Sequence, residues 1–308
     1  MFTLKTDNDR LLLASADLRA EIYLYGGLLN RYEIRRPDGT WFNIVKAYDS
    51  PQHARESLTE WFRSGKLSPY ACRLRHGKYS FDGKAYQCGK FKLAEHAAHG
   101  LMYDHEFALV NSHADNQSAE VEIRADYAQD DSGYPFPFSL TVRYRLSTDG
   151  LSIRSTVRNQ GTTAMPLADG WHPYFTLGGK ADDWSLEIDS SKRLGFDADL
   201  VPDGSIIDDT RFQTTSSLAG IELDNSFVLA LSKPAACTLS GNGLTLSIYP
   251  DASYPYLQIF TPSTRDTIAI ENLSGAPDCF NNGLGLIKLN AGEEAAFETC
   301  YHIAANHP

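Results

Sequence analysis

The sequence predicts an all-β protein, a large sandwich of mostly antiparallel strands, and three observations predict it. The first is a dominant apolar period of two. Ala119-Glu120-Val121-Glu122-Ile123 and Phe138-Ser139-Leu140-Thr141-Val142-Arg143-Tyr144-Arg145-Leu146 alternate apolar with polar side chains, the pattern of strands with one buried and one wet face. The second is turn chemistry. Pro37-Asp38-Gly39, Asp82-Gly83, Asp149-Gly150 and Gly241-Asn242-Gly243 each sit between strand-like runs, where Gly and Asp supply positive φ for hairpins. The third is continuity: no repeat of twenty to fifty residues and no Ser/Gly/Pro-rich linker divides the chain. Residues 1–308 therefore read as a single domain, of a length that all-β sandwiches reach.

Other elements follow in chain order. The clearest helical stretch is Ala54-Arg55-Glu56-Ser57-Leu58-Thr59-Glu60-Trp61-Phe62-Arg63, with Leu58, Trp61 and Phe62 spaced for one apolar face. The segment from Gly178 to Ser217 is richer in Asp and Gly and reads as loops. Hydrophobic residues make up 42% and aromatics 11%, spread evenly rather than in blocks, as in an ordinary globular protein.

A net charge of −11 argues against nucleic acid and anionic membrane as partners, since both need clustered Lys and Arg. A neutral or cationic small molecule suits it better. The five cysteines, Cys72, Cys88, Cys237, Cys279 and Cys300, are an odd number without the close pairing of a zinc or redox motif. They read as reduced, space-filling residues. The start, Met1 to Asn8, lacks the apolar core of a signal peptide, and no run approaches eighteen apolar residues. The expected location is the cytoplasm.

For chemistry, Trp171-His172-Pro173-Tyr174-Phe175 and Ile268-Ala269-Ile270-Glu271-Asn272 offer the best acid–base candidates. Histidine titrates near neutrality, and a partly buried glutamate can be raised towards it. A lone His-Pro in an aromatic run is more often a core histidine satisfied by its neighbours, and Glu271 could equally end a strand facing outward. Arg73, in Cys72-Arg73-Leu74-Arg75, can donate forked hydrogen bonds to hydroxyls, as a surface arginine also can. His99 sits in Ala97-Ala98-His99-Gly100. Asp224, in Leu223-Asp224-Asn225-Ser226-Phe227, either forms an Asx-turn or accepts from a sugar diol.

A metal enzyme could be assembled from His96, His99 and His105 with Glu95 or Glu106. The Glu95 to His99 spacing needs a helical turn, however, and its surroundings read as loop and strand. A glycosidase using Asp224 and Glu271 as its carboxylates is a further alternative.

Taken in order, Arg73 before a hairpin with Asp82-Gly83-Lys84, His99-Gly100, His172-Pro173-Tyr174-Phe175, Asp224, Glu271 ahead of Pro277-Asp278, and Leu289-Asn290-Ala291-Gly292-Glu293 resemble the functional positions of the aldose 1-epimerases, a galactose mutarotase-like family. The resemblance covers nearly the whole chain. It implies a β-supersandwich and interconversion of the α and β anomers of a free aldose such as glucose or galactose. It also implies Glu271 as the catalytic base and His172 as the catalytic acid. Arg73, His99 and Asp224 would bind substrate, and no metal or cofactor would take part. A bell-shaped pH–rate profile, set by deprotonated Glu271 and protonated His172, is expected.

The implied partner is a small-molecule sugar, with the protein a monomer or homodimer. Two departures stand out: Trp171 precedes His172 where the best-known members carry Asn, and Cys72-Arg73 replaces Asn-Arg. A related branch acts on hexose 6-phosphates, for which Arg55, Arg63 and Lys66 would be the phosphate contacts, unless they are merely solvated charges. A non-catalytic carbohydrate-binding protein is the remaining alternative.

Overall fold

The computed structural model describes residues 1–306. Strands dominate, and their pairings are antiparallel. The period-two run at Phe138–Ser147 pairs on one side with Ser118–Tyr127 and on the other with Gly150–Asn159. These belong to a nine-stranded sheet that continues through Glu294–Ala305 and Leu244–Pro250. An eight-stranded sheet faces it, in the order Pro202–Asp208, Lys192–Phe196, Asp224–Val228, Tyr256–Phe260, Ile268–Leu273, Gly170–His172 and Gly65–Leu67, with Tyr174–Phe175 also on Ile268–Leu273. A five-stranded meander, Thr3 to Asn43, completes the strand-rich frame. The four turn motifs each join paired strands.

The two large sheets meet through apolar and polar contacts. Phe175 packs on Tyr301 with ring centroids 5.3 Å apart, and Thr299 Oγ1 donates to Asn272 Oδ1 at 3.0 Å. A continuous buried apolar cluster runs from Phe2 to Ile303. Its inner layer follows from alternation: Leu257, Ile259 and Ile270 enter the core while their strand neighbours turn to the opposite face.

The helix spans Pro51–Trp61, three residues earlier than its apolar spacing alone indicates. Ser50 caps it, its Oγ accepting from His53 N at 3.0 Å, and Pro51 occupies a first-turn position that needs no N–H. Leu58 is buried as expected, but Trp61 is 43% exposed. Phe62 lies beyond the helix in a left-handed conformation, φ 50°.

The segment from Gly178 to Ser217 is not loop throughout. It carries Ser185–Ile188, Lys192–Phe196, Pro202–Asp208 and Ser216–Ser217. Pro202–Asp208 is an edge strand exposed on both faces after Pro202, so it is held by its ladder to Lys192–Phe196 rather than by apolar alternation. Among the described residues, no helix is long and apolar enough to cross a membrane.

Candidate active site

Register creates the site. Residues directly opposite on neighbouring strands share a face, and Glu271 lies opposite Gln258, as Asp224 lies opposite Phe260. Since Ile270 enters the core and Asn272 bonds Thr299 of the facing sheet, Glu271 between them points outward. His172 follows Trp171, whose ring meets Tyr144 of the facing sheet at 6.2 Å, and turns outward likewise. The side chains of Glu271, Gln258, Asp224, Phe260 and His172 thereby share the outer face of the eight-stranded sheet.

Walls rise around this face to enclose a cavity of about 230 Å³. Trp61 and Phe62 at the helix end, Phe91, and Phe196 with Leu200 form its apolar sides. Arg73 comes from a small three-stranded sheet in which Ala98 pairs with it, and His99 follows that strand directly. His99 has φ 65° and Gly100 φ 74°. A Cβ at Gly100 would lie 2.4 Å from the Ser68 carbonyl oxygen, so glycine is required for the turn that aims His99. The five residues singled out from sequence, Arg73, His99, His172, Asp224 and Glu271, all line this one cavity.

His172 Nε2 and Glu271 Oε1 stand 3.4 Å apart, both buried. Burial, and then the negative charge of Asp224, push the Glu271 carboxyl well above its ordinary range, while the Cys72 thiol and Arg73 act downward. Burial drops His172 to about 4. Both shifts favour a neutral carboxyl beside a neutral imidazole. His99 is also pushed well down, by burial and then by His172 and Arg73; its ring meets that of His172 edge-on at 5.2 Å. Asp224 is raised by burial against Arg73 and Gln258, and accepts from Gln258 Nε2 at 2.7 Å.

The sequence reading overlooked Gln258 and Cys72. Gln258 Oε1 is buried without a partner, beside Glu271; only the strand pairing reveals it, although its place among apolar neighbours in Tyr256–Phe260 was a signal. Cys72 Sγ lies 3.7 Å from Glu271 Oε2. Of the cations considered for a phosphate, Arg55 pairs with Glu106 at 2.7 Å. Lys66 is wholly buried, 2.5 Å from Asp169 Oδ1 and 2.9 Å from Ser155 Oγ. Neither lines the cavity, and Arg63 lies in a neighbouring one.

The three histidines considered as metal ligands do not converge. His96 lies in the strand His96–Ala98 and His99 in the left-handed turn just beyond it. His96 Nδ1 accepts from His76 N at 3.1 Å, His99 faces His172, and His105 Nε2 lies 3.1 Å from Asp130.

Two facing antiparallel sheets, with a cavity on the outer face of one that His172 and Glu271 line, make a galactose mutarotase-like fold. Residues 9–302 match the aldose 1-epimerase family, and the chain belongs to it. It is 26% identical over 237 residues, 74% of each chain, to the uncharacterized protein YihR of Escherichia coli K12. A galactose mutarotase-like protein from Clostridium acetobutylicum superposes with a TM-score of 0.86 at 16% identity, over 99% of this chain and 98% of that one. A galactose 1-epimerase from Lactobacillus acidophilus gives 0.81 at 20% identity, over 100% and 99%. These two likenesses speak for the fold.

Proposed function

We propose that the protein is an aldose 1-epimerase interconverting the α and β anomers of a free aldose such as glucose or galactose. The observation that carries this reading is the meeting of Glu271 and His172 at 3.4 Å in a cavity also lined by Arg73, His99 and Asp224. The Glu271 carboxylate takes the proton of the anomeric hydroxyl while the His172 imidazolium protonates the ring oxygen. The bond from C1 to the ring oxygen breaks, and the electron pair of the former O–H bond becomes the new carbonyl bond. Rotation about C1–C2 presents the other carbonyl face. Closure reverses the transfers, so that the Glu271 carboxyl returns a proton to the carbonyl oxygen and neutral His172 takes one from the C5 hydroxyl.

Burial bears directly on this cycle. Ring opening converts a carboxylate and an imidazolium into a carboxyl and a neutral imidazole, which is the arrangement the buried pair prefers. The site thus favours the proton distribution of the ring-opened state. The Cys72 thiol and then Arg73 oppose this by favouring the Glu271 carboxylate. Arg73 and His99 would hold ring oxygens, and Asp224, fixed by Gln258, would accept from distal hydroxyls.

A phosphorylated hexose is less well served, because Arg55 and Lys66 are committed to Glu106 and Asp169 and Arg63 lines the adjoining cavity rather than this one. The test is polarimetry of freshly dissolved α-glucose and α-galactose. Wild type should speed equilibration far beyond buffer, and Glu271→Gln and His172→Asn should each abolish most of that gain. Equilibration at the buffer rate across a panel of aldoses and hexose 6-phosphates would make this a binding protein instead.

A further inference from the structure

A second cavity of about 130 Å³ adjoins the first and shares Trp61 and Tyr174 with it. Lys46, Arg63, Thr264, Asp266 and Thr267 also line it. None of these enters the chemistry described above. The main cavity, at about 230 Å³, falls short of the roughly 300–1,000 Å³ usual for small-molecule sites, and the two together reach that range.

The lining tells which chemistry fits. Lys46 Nζ donates to Asp266 Oδ2 at 2.8 Å. Burial opposes ionisation of Asp266, but hydrogen bonds from Lys46 and Thr264 hold it below its ordinary value. Arg63 lies over the Tyr48 ring at 5.5 Å and donates to the Ala47 carbonyl at 3.5 Å, and no carboxylate among the described residues pairs with it. The cavity therefore offers two cationic donors, a carboxylate acceptor, two threonine hydroxyls and an exposed indole. A doubly charged anion would face Asp266. A neutral polyhydroxylated ring could use every one of these groups, stacking its apolar face on Trp61.

Position tells how such a ring would be attached. The shared Tyr174 ring lies 5.0 Å from that of His172, so the side cavity opens beside the group assigned to the ring oxygen. On an aldohexopyranose that oxygen joins C1, whose hydroxyl is assigned to Glu271, to C5, which carries C6.

We propose that the side cavity is a second sugar subsite, and that the substrates include reducing disaccharides linked through C6. The reducing ring would occupy the main cavity and the second ring would lie against Trp61 and Asp266. This rests on the epimerase reading above. The test compares anomerisation of isomaltose, glucose and glucose 6-phosphate by saturation-transfer NMR, using the full chain, Asp266→Ala and Arg63→Ala. The expected result is a kcat/KM for isomaltose at least equal to that for glucose. The isomaltose-to-glucose ratio should fall about tenfold in Asp266→Ala, through KM, as the loss of a charge-assisted hydrogen bond would produce.

A ratio unmoved by either substitution would overturn the proposal. So would preferential turnover of glucose 6-phosphate that Arg63→Ala removes, which would make the cavity an anion subsite. Should no aldose be turned over at all, the epimerase reading fails by itself. Calorimetric titration then decides the subsite, since isomaltose must bind more tightly than glucose and lose that margin in Asp266→Ala.

Discussion

Lys66 with Asp169, and His172 with Glu271, are buried acid–base pairs on opposite faces of the same sheet. Lys66 and Asp169 are both 0% exposed, and they face the core between the sheets. Lys66 Nζ meets Asp169 at 2.5 Å and Ser155 at 2.9 Å and lies 4.2 Å from the centre of the Trp171 ring, while Tyr254 OH donates to Asp169 at 2.8 Å. Burial lowers Lys66 to about 8 and raises Asp169, each partner resisting the other's neutralisation. His172 and Glu271 are nearly as buried, at 6% and 2%, but they stand 3.4 Å apart on the wall of a cavity, with His172 Nδ1 unpartnered. Burial perturbs both pairs. Each pair leaves a polar atom unpartnered, Asp169 Oδ2 in the first and His172 Nδ1 in the second, but only the second lines a cavity that a small molecule can reach, the setting expected of a chemical pair rather than a structural one.

The comparison predicts opposite outcomes when each pair is cut. Glu271→Gln and His172→Asn should each lower anomerisation about 10²–10⁴-fold, the usual worth of a general acid or base, while leaving the protein folded. Loss of stability with proportional loss of activity would place the outer pair in the same class as the inner one.

Lys66→Met should cost about 3–5 kcal/mol of unfolding free energy by urea titration, because it strands Asp169 in the core. Lys66→Met combined with Asp169→Leu should recover most of that loss, since two apolar groups leave no buried charge behind. If Lys66→Met instead leaves stability unchanged and only slows catalysis, the inner pair belongs to the site.

Smaller effects would sharpen the assignment within the outer pair. With Glu271 raised above His172, the one-proton state of the pair is active, and the profile remains bell-shaped with the alkaline limb belonging chiefly to Glu271. Asp224 raises Glu271 and Arg73 lowers it. Asp224→Asn should therefore move the alkaline limb of kcat/KM to lower pH, and Arg73→Gln should move it to higher pH. Shifts of the acid limb alone would reverse the assignment of the two groups. The smallest effect belongs to Cys72, whose weak thiol donor also lowers Glu271. Cys72→Ala should raise the alkaline limb slightly and Cys72→Ser, a better donor, should lower it. Identical profiles for the two would remove Cys72 from the electrostatics of the site.

How much could be read beforehand depended on whether the signal was local. The alternation at Phe138–Ser147 and the Asp-Gly turns are local, and they foretold strands and hairpins that the structure contains. The edge strand Pro202–Asp208 carries no apolar alternation, because neither of its faces is buried beyond Pro202, so its sequence resembles that of a loop. Ser50 and Pro51 begin the helix by capping rather than by apolar spacing. Lys66, a charged residue beside a helix, looked like a solvated cation, and only the chain packed over it makes it an interior one.

The sequence by itself determined the period-two architecture and the residue types available for proton transfer, and the ordered motifs pointed to the family. Those properties are written in neighbours along the chain. Only the tertiary structure decided that Glu271 and His172 meet, that Gln258 and Cys72 stand beside them, and that Arg55 and Lys66 do not. The physical reason is register: alternation sends Ile270 inward and Glu271 outward, while pairing between distant strands chooses what lies opposite. Burial then sets the protonation states, pushing the carboxyl up and the imidazole down.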